Sequence, residues 1–145
     1  IFDGGLVDIN EIESKCKVLN FKLDPEVMLV IATPTQIGRE WRTIVFKNKI
    51  IAGSLYKQNQ YVFKETGLPE NVLEYGQSVL NSIKYKPDDF WVMDICETIE
   101  WNNATKSLDK ELKVLEVGAF SCSGLYVSDP EIVIKTVNEH LMKGS

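Results

Sequence analysis

Three charged side chains stand where the hydropathy pattern expects hydrocarbon. Successive side chains of a β-strand point to opposite faces, and the run from Phe90 to Thr98 reads as a strand. Asp94 therefore shares a face with Phe90, Val92 and Cys96, while Trp91, Met93 and Ile95 point the other way. Glu116 repeats the anomaly between Lys113 and Phe120, on a face with Val114, Gly118 and Phe120. A carboxylate removed from water protonates, pairs or binds a metal, and two on adjacent strands also repel each other. A magnesium ion bridging nucleotide phosphates would answer both needs, because magnesium takes one or two carboxylates and leaves the rest of its shell to phosphate and water. The alternative is an ordinary salt bridge with Arg42, or a place at solvent-facing strand ends. Arg42 alternates with Ile44 and Phe46, so its guanidinium also leaves an apolar face, with a fork suited to phosphate or carboxylate. Glu97 falls on the face opposite Asp94 and is a weaker ligand candidate.

The elements that must position these groups follow from periodicity. Asp8 and Glu11 have capping-box spacing before a helix from about Ile9 to Leu19, with Ile9, Ile12, Cys16 and Leu19 on one face. Val27 to Ile31 is a short buried strand stopped by Thr33-Pro34. Trp41 to Phe46 and Lys49 to Tyr56 form a hairpin about Lys47-Asn48. Pro69 opens a helix running to about Tyr85, with Val72, Val79, Leu80 and Ile83 as its core stripe. The two acid-bearing strands pair antiparallel across a polar connection containing Asn102 and Asn103. A last helix starts at Asp129-Pro130 and turns Ile132, Val133 and Val137 inward. Segregated helices and a mainly antiparallel sheet make the fold α+β. With no repeat and no long linker, residues 1–145 read as a single domain.

Composition narrows the partners. Sixteen Lys and Arg against 21 Asp and Glu give a net charge of −5 with no basic run, which disfavours nucleic acid. The three cysteines, Cys16, Cys96 and Cys122, fit neither a disulfide framework nor a zinc motif, and point to a reducing cytoplasm. No apolar stretch spans a bilayer, and the first residues carry no export signal, so no membrane partner is expected. The absence of an initiator Met and the closing Gly144-Ser145 suggest a piece of a longer chain. His140 reads as a surface residue near a helix C-terminus. Cys96 reads as a small core filler, and the loop Ser121-Cys122-Ser123-Gly124 as one whose backbone can approach a ligand closely.

The runs Glu40-Trp41-Arg42, Ile51 to Tyr56, Val92-Met93-Asp94-Ile95 and Leu115 to Tyr126 together resemble a bacterial and phage-associated branch of ATP-grasp proteins, over nearly the whole chain. The resemblance implies the C-terminal lobe of a fold that clamps ATP between two α+β lobes and joins a small-molecule or peptide carboxylate to an amine or thiol through an acyl phosphate. It implies magnesium on Asp94 and Glu116, Arg42 on the transferred phosphate, and adenine against the backbone of Val30, Ile31 and Ala32. The family usually has Asn two residues beyond the metal-binding glutamate, where this chain has Gly118. Its ATP-binding lysines belong to an upstream lobe that this sequence does not include. A non-catalytic nucleotide-binding or interaction module that keeps the fold is the competing expectation, and a nucleotide-dependent enzyme acting on nucleic acid is a third.

Overall fold

The computed structural model describes residues 8–12, 14, 32–84 and 86–143. The chain divides into two compact units, Ile1–Pro34 and Thr35–Ser145. In the first, Ile9–Glu11 forms a 3-10 turn capped by Asp8, whose Oδ1 accepts from Asn10 N at 2.8 Å. Ile12 and Ser14 are helical beyond it, while the rest of the predicted first helix to Leu19, and the predicted strand from Val27 to Ile31, lie outside the described residues.

The second unit holds a five-stranded antiparallel sheet and two α-helices, the α+β arrangement that the order of elements implies. Strands β1 (Gln36–Phe46), β2 (Lys49–Gln58) and β3 (Tyr61–Thr66) form a meander, and helix α1 (Glu70–Ser82) then crosses over. Strands β4 (Phe90–Asn102) and β5 (Ser107–Ala119) form a long hairpin, and helix α2 (Pro130–Lys143) ends the fold. The spatial order is β3-β2-β1-β4-β5, so the crossover through α1 lays β4 beside β1.

Helix α1 covers one face. Val72 and Leu80 are buried against Trp41, Val45, Ile50, Leu55, Trp91, Met93 and Ile95, with Val79 and Ile83 half-buried at the edge of the cluster. The approach is close because residue 76 is glycine: a Cβ there would lie 2.6 Å from Ile50 Cδ1 and 2.9 Å from Ile95 Cδ1. The helix ends at Ser82, short of the predicted Tyr85, because Ile83 turns extended and stays on the core.

The other face carries Ile44, Val92, the stacked rings of Phe46 and Phe90 at 4.4 Å, and Arg42 and Asp94. Helix α2 touches this side through Val133 and His140. Asp129 caps it as expected, its Oδ1 accepting from Glu131 N at 2.9 Å. Ile132, expected inward, is 44% exposed. Neighbouring positions of a helix differ by about 100°, so Val133, Thr136, Val137 and His140, at i, i+3, i+4 and i+7, share the inner side and are buried or half-buried. His140 is correspondingly no plain surface residue: its ring meets Phe46 edge-on at 5.2 Å, and its Nε2 lies 3.2 Å from Asp89 Oδ2. No helix among the described residues is long and apolar enough to cross a membrane.

Candidate functional site

Register decides which side chains meet. Arg42 pairs with Asp94 across β1 and β4, and Asp94 pairs with Glu116 across β4 and β5. The three residues that the sequence singled out thus lie in one row across three strands. A one-residue irregularity in β5 adjusts the expected face: Asp94 faces Glu116 but Ile95 faces Val114, leaving Leu115 as the extra residue. Such a bulge moves everything on one side of it to the other face. Val114 therefore leaves Glu116's company, while Gly118 stays opposite Val92.

At the centre is a two-toothed charge pair. Arg42 Nε donates to Asp94 Oδ1 at 2.9 Å and Nη2 to Oδ2 at 2.7 Å, with the Asp94 side chain 1% exposed. Nη1 donates to the Gly124 carbonyl at 3.2 Å, and Nη2 lies 3.6 Å from Glu116 Oε1. The hydrogen bond to Asp94 outweighs the opposing effect of burial and raises the Arg42 guanidinium's pKa further above its ordinary value. Glu116 differs in kind, since 61% of its side chain faces solvent. The site thus joins a buried, neutralised carboxylate to an exposed one across a single guanidinium.

The sequence did not assign roles to the residues that surround this row. Tyr56 lies at an irregularity in β2, where Glu40 pairs with Lys57 and Trp41 with Leu55, so that Tyr56 has no partner in β1. Bulges of this kind re-aim a side chain. The Tyr56 hydroxyl donates to Glu40 Oε2 at 2.9 Å, and Lys57 pairs with Glu40 Oε1 at 2.8 Å. Burial first, then the charge of Asp94 and the bond to Glu40, push the Tyr56 phenol well above its ordinary range. Tyr126 arrives from the loop before α2 and stacks on Tyr56, with ring centres 4.7 Å apart. Glu40 was legible in principle, because it stands two residues from Arg42 on the same strand. Tyr126 was not, since no periodicity governs a loop.

Cys96 is buried on the same face as Asp94, and burial followed by the nearby Glu40 charge pushes its thiol up, as suits an unreactive filler. On the far face, Glu97 pairs with Arg39 at 2.8 Å and Lys110 at 3.1 Å. Burial pushes the Glu97 carboxyl up, but the two hydrogen bonds outweigh it and hold the group below the ordinary carboxylate range. A lowered folded-state pKa contributes stability above the unfolded-state pKa, and that stability is lost as pH falls through the folded value. Glu97→Gln should therefore lower the urea midpoint at neutral pH, with the gap from the parent narrowing as acid protonates Glu97. A gap that stays constant into strong acid would show that the pair contributes nothing through charge.

Of the expected adenine contacts, Ala32 is exposed on irregular backbone, and Val30 and Ile31 lie outside the described residues. Asp94 and Glu116 match the carboxylate number that magnesium accepts, and they are neighbours. Both Asp94 oxygens are nevertheless engaged by Arg42, and the described residues hold no group of three or more His, Cys, Asp or Glu able to hold a metal ion. The donor set thus suits magnesium in number and adjacency, while the cation between the two acids here is the guanidinium. Compared with family models, curated proteins and solved structures, the chain finds no match in any of the three.

Proposed function

We propose that this chain is the C-terminal lobe of an ATP- and magnesium-dependent ligase of the ATP-grasp type, joining a small-molecule or peptide carboxylate to an amine or thiol through an acyl phosphate. The observation that supports it most is the row Arg42, Asp94, Glu116, gathered on one sheet face at the boundary between core and solvent. Phosphoryl transfer asks a protein chiefly for position and charge neutralisation. Arg42 is always protonated and planar, so it can fork onto two oxygens of a phosphate or acyl phosphate. Asp94 and Glu116 would hold magnesium, which when bound neutralises phosphate oxygens as charge develops on them. The free thiols of Cys96 and Cys122 accord with a reducing, cytoplasmic setting.

A second reading rests on a specific observation. The Arg42 fork occupies both oxygens of Asp94, and Gly118 brings no side chain to the place where the family has Asn. On that reading the pair is a permanent tie in a non-catalytic binding module. Titration with ATP in the presence of manganese, read by paramagnetic line broadening, separates the two. The ligase reading expects broadening centred on Glu116 and the adjoining parts of β4 and β5, weakened about tenfold in apparent affinity, or ~1.4 kcal/mol, by Glu116→Gln. Broadening that ignores this substitution, or that centres elsewhere, would leave the binding module.

A further inference from the structure

We propose that Tyr126, together with Tyr56 and the Gly124 carbonyl, forms a clamp that fixes the plane of the Arg42 guanidinium, which makes Tyr126 a positioning residue. The clamp is read from geometry alone. Its assigned use, presenting Arg42 to the oxygens of a phosphate or carboxylate, rests on the function proposed above.

The guanidinium is bounded on several sides. Its carbon lies 4.8 Å from the centre of the Tyr126 ring and 5.7 Å from that of Tyr56, within the range at which a cation is attracted to an aromatic face. Asp94 takes Nε and Nη2, and the Gly124 carbonyl takes Nη1. Asp94 alone would tether the group while leaving it free to tilt about the fork. The rings and the carbonyl supply the walls that a carboxylate cannot.

Each wall is itself anchored. Tyr56 is fixed through its hydroxyl to Glu40, which is buried and paired with Lys57. This accounts for a third acid on the Asp94 face that neither metal nor phosphate needs. Because the Tyr56 phenol is pushed upward, it stays a donor to Glu40 throughout the physiological range. The loop that bears Tyr126 is tied down by Thr66 Oγ1, which donates to Val127 O at 2.9 Å, and by Ser128 Oγ, which donates to Ser54 Oγ at 3.2 Å. Tyr126 adopts φ 52°, a left-handed conformation that a bulky residue takes only where its surroundings hold it. Glycine would take that conformation without strain. A large aromatic there makes sense if its ring does something, and the ring touches Tyr56 and Arg42.

The test follows the Arg42 Nε–Hε signal by NMR in the parent and in Tyr126→Phe, Tyr126→Leu and Tyr126→Ala. The clamp predicts that Phe, which keeps the ring, preserves the signal's position and slow exchange with water. Leu, which keeps bulk without an aromatic face, should move the signal and speed its exchange, and Ala should do so further. If Ala does not fold, Leu decides. An unchanged signal in Leu, or a change in Phe as large as that in Leu, overturns the proposal. Magnesium-ATP is then added as the probe. Where the parent binds it, Leu should lose about tenfold in affinity and Phe little; equal affinity in parent and Leu would overturn the clamp's assigned use. Where the parent does not bind it, the nucleotide use assigned to this chain's own site fails and the NMR comparison still decides the clamp.

Discussion

Asp94→Asn should destabilise the fold by roughly 3–5 kcal/mol, the cost of breaking one side of a buried ion pair. The substitution keeps the shape of the side chain and removes its charge. Arg42 is then left with its side chain only 8% exposed and with Glu116 Oε1, at 3.6 Å, as the nearest remaining carboxylate. Glu116 is mostly in water and cannot replace a bidentate partner that is out of it. Glu116→Gln should accordingly change stability by no more than about 0.5 kcal/mol, as surface substitutions do. The combined replacement Arg42→Met with Asp94→Leu should recover most of the stability lost in Asp94→Asn, since exchanging a buried pair for apolar groups of similar size is often neutral or favourable. Urea denaturation of the four proteins supplies the measurement. A loss below about 1 kcal/mol in Asp94→Asn would mean that Arg42 finds another partner at little cost. The fork would then be incidental.

That contrast between Asp94 and Glu116 bears on how far the sequence could be read. Strand alternation set Arg42, Asp94 and Glu116 each on an apolar face of its own strand, because side-chain direction on a strand is fixed by counting residues; that the three faces coincide follows from the pairing register. What counting could not supply was the identity of the neutralising cation. Arg42 was a candidate on pattern, but its pairing with Asp94 depends on which strand lies next to β1, and the crossover through α1 decides that. Bulges were equally hidden: the extra residue Leu115 displaced Val114, and the irregularity at Tyr56 aimed that ring at the site. Strand β3 leaves no turn signal in the sequence because its turn, Asn59-Gln60, has positive φ at both positions without a glycine. All of its residues are also exposed, so no alternation marks it. The ends of β4 and β5 beyond Thr98 and before Lys113 read as a loop in the sequence, since charged residues mask a ladder that backbone pairing carries on to Asn102 and Ser107.

The same strand that presents Asp94 on one side is held in place from the other, and Trp91 tests that hold. Trp91 is fully buried on the α1 side, three residues before Asp94. Trp91→Ala should cost about 3–5 kcal/mol, the usual loss for a large aromatic removed from a core. Trp91→Phe should cost far less than its change in volume suggests. The indole Nε1 has no hydrogen-bond partner among the described residues, and a buried donor left without one carries a penalty of about 1–3 kcal/mol. Phenylalanine removes that penalty along with part of the ring, and the two effects oppose each other. The expected net change is within about 1 kcal/mol, with the Arg42 Nε–Hε signal undisturbed because β4 keeps its register. A loss in Trp91→Phe comparable with that in Trp91→Ala would show that the indole N–H does have a partner, and that β4 is held by a polar contact as well as by packing.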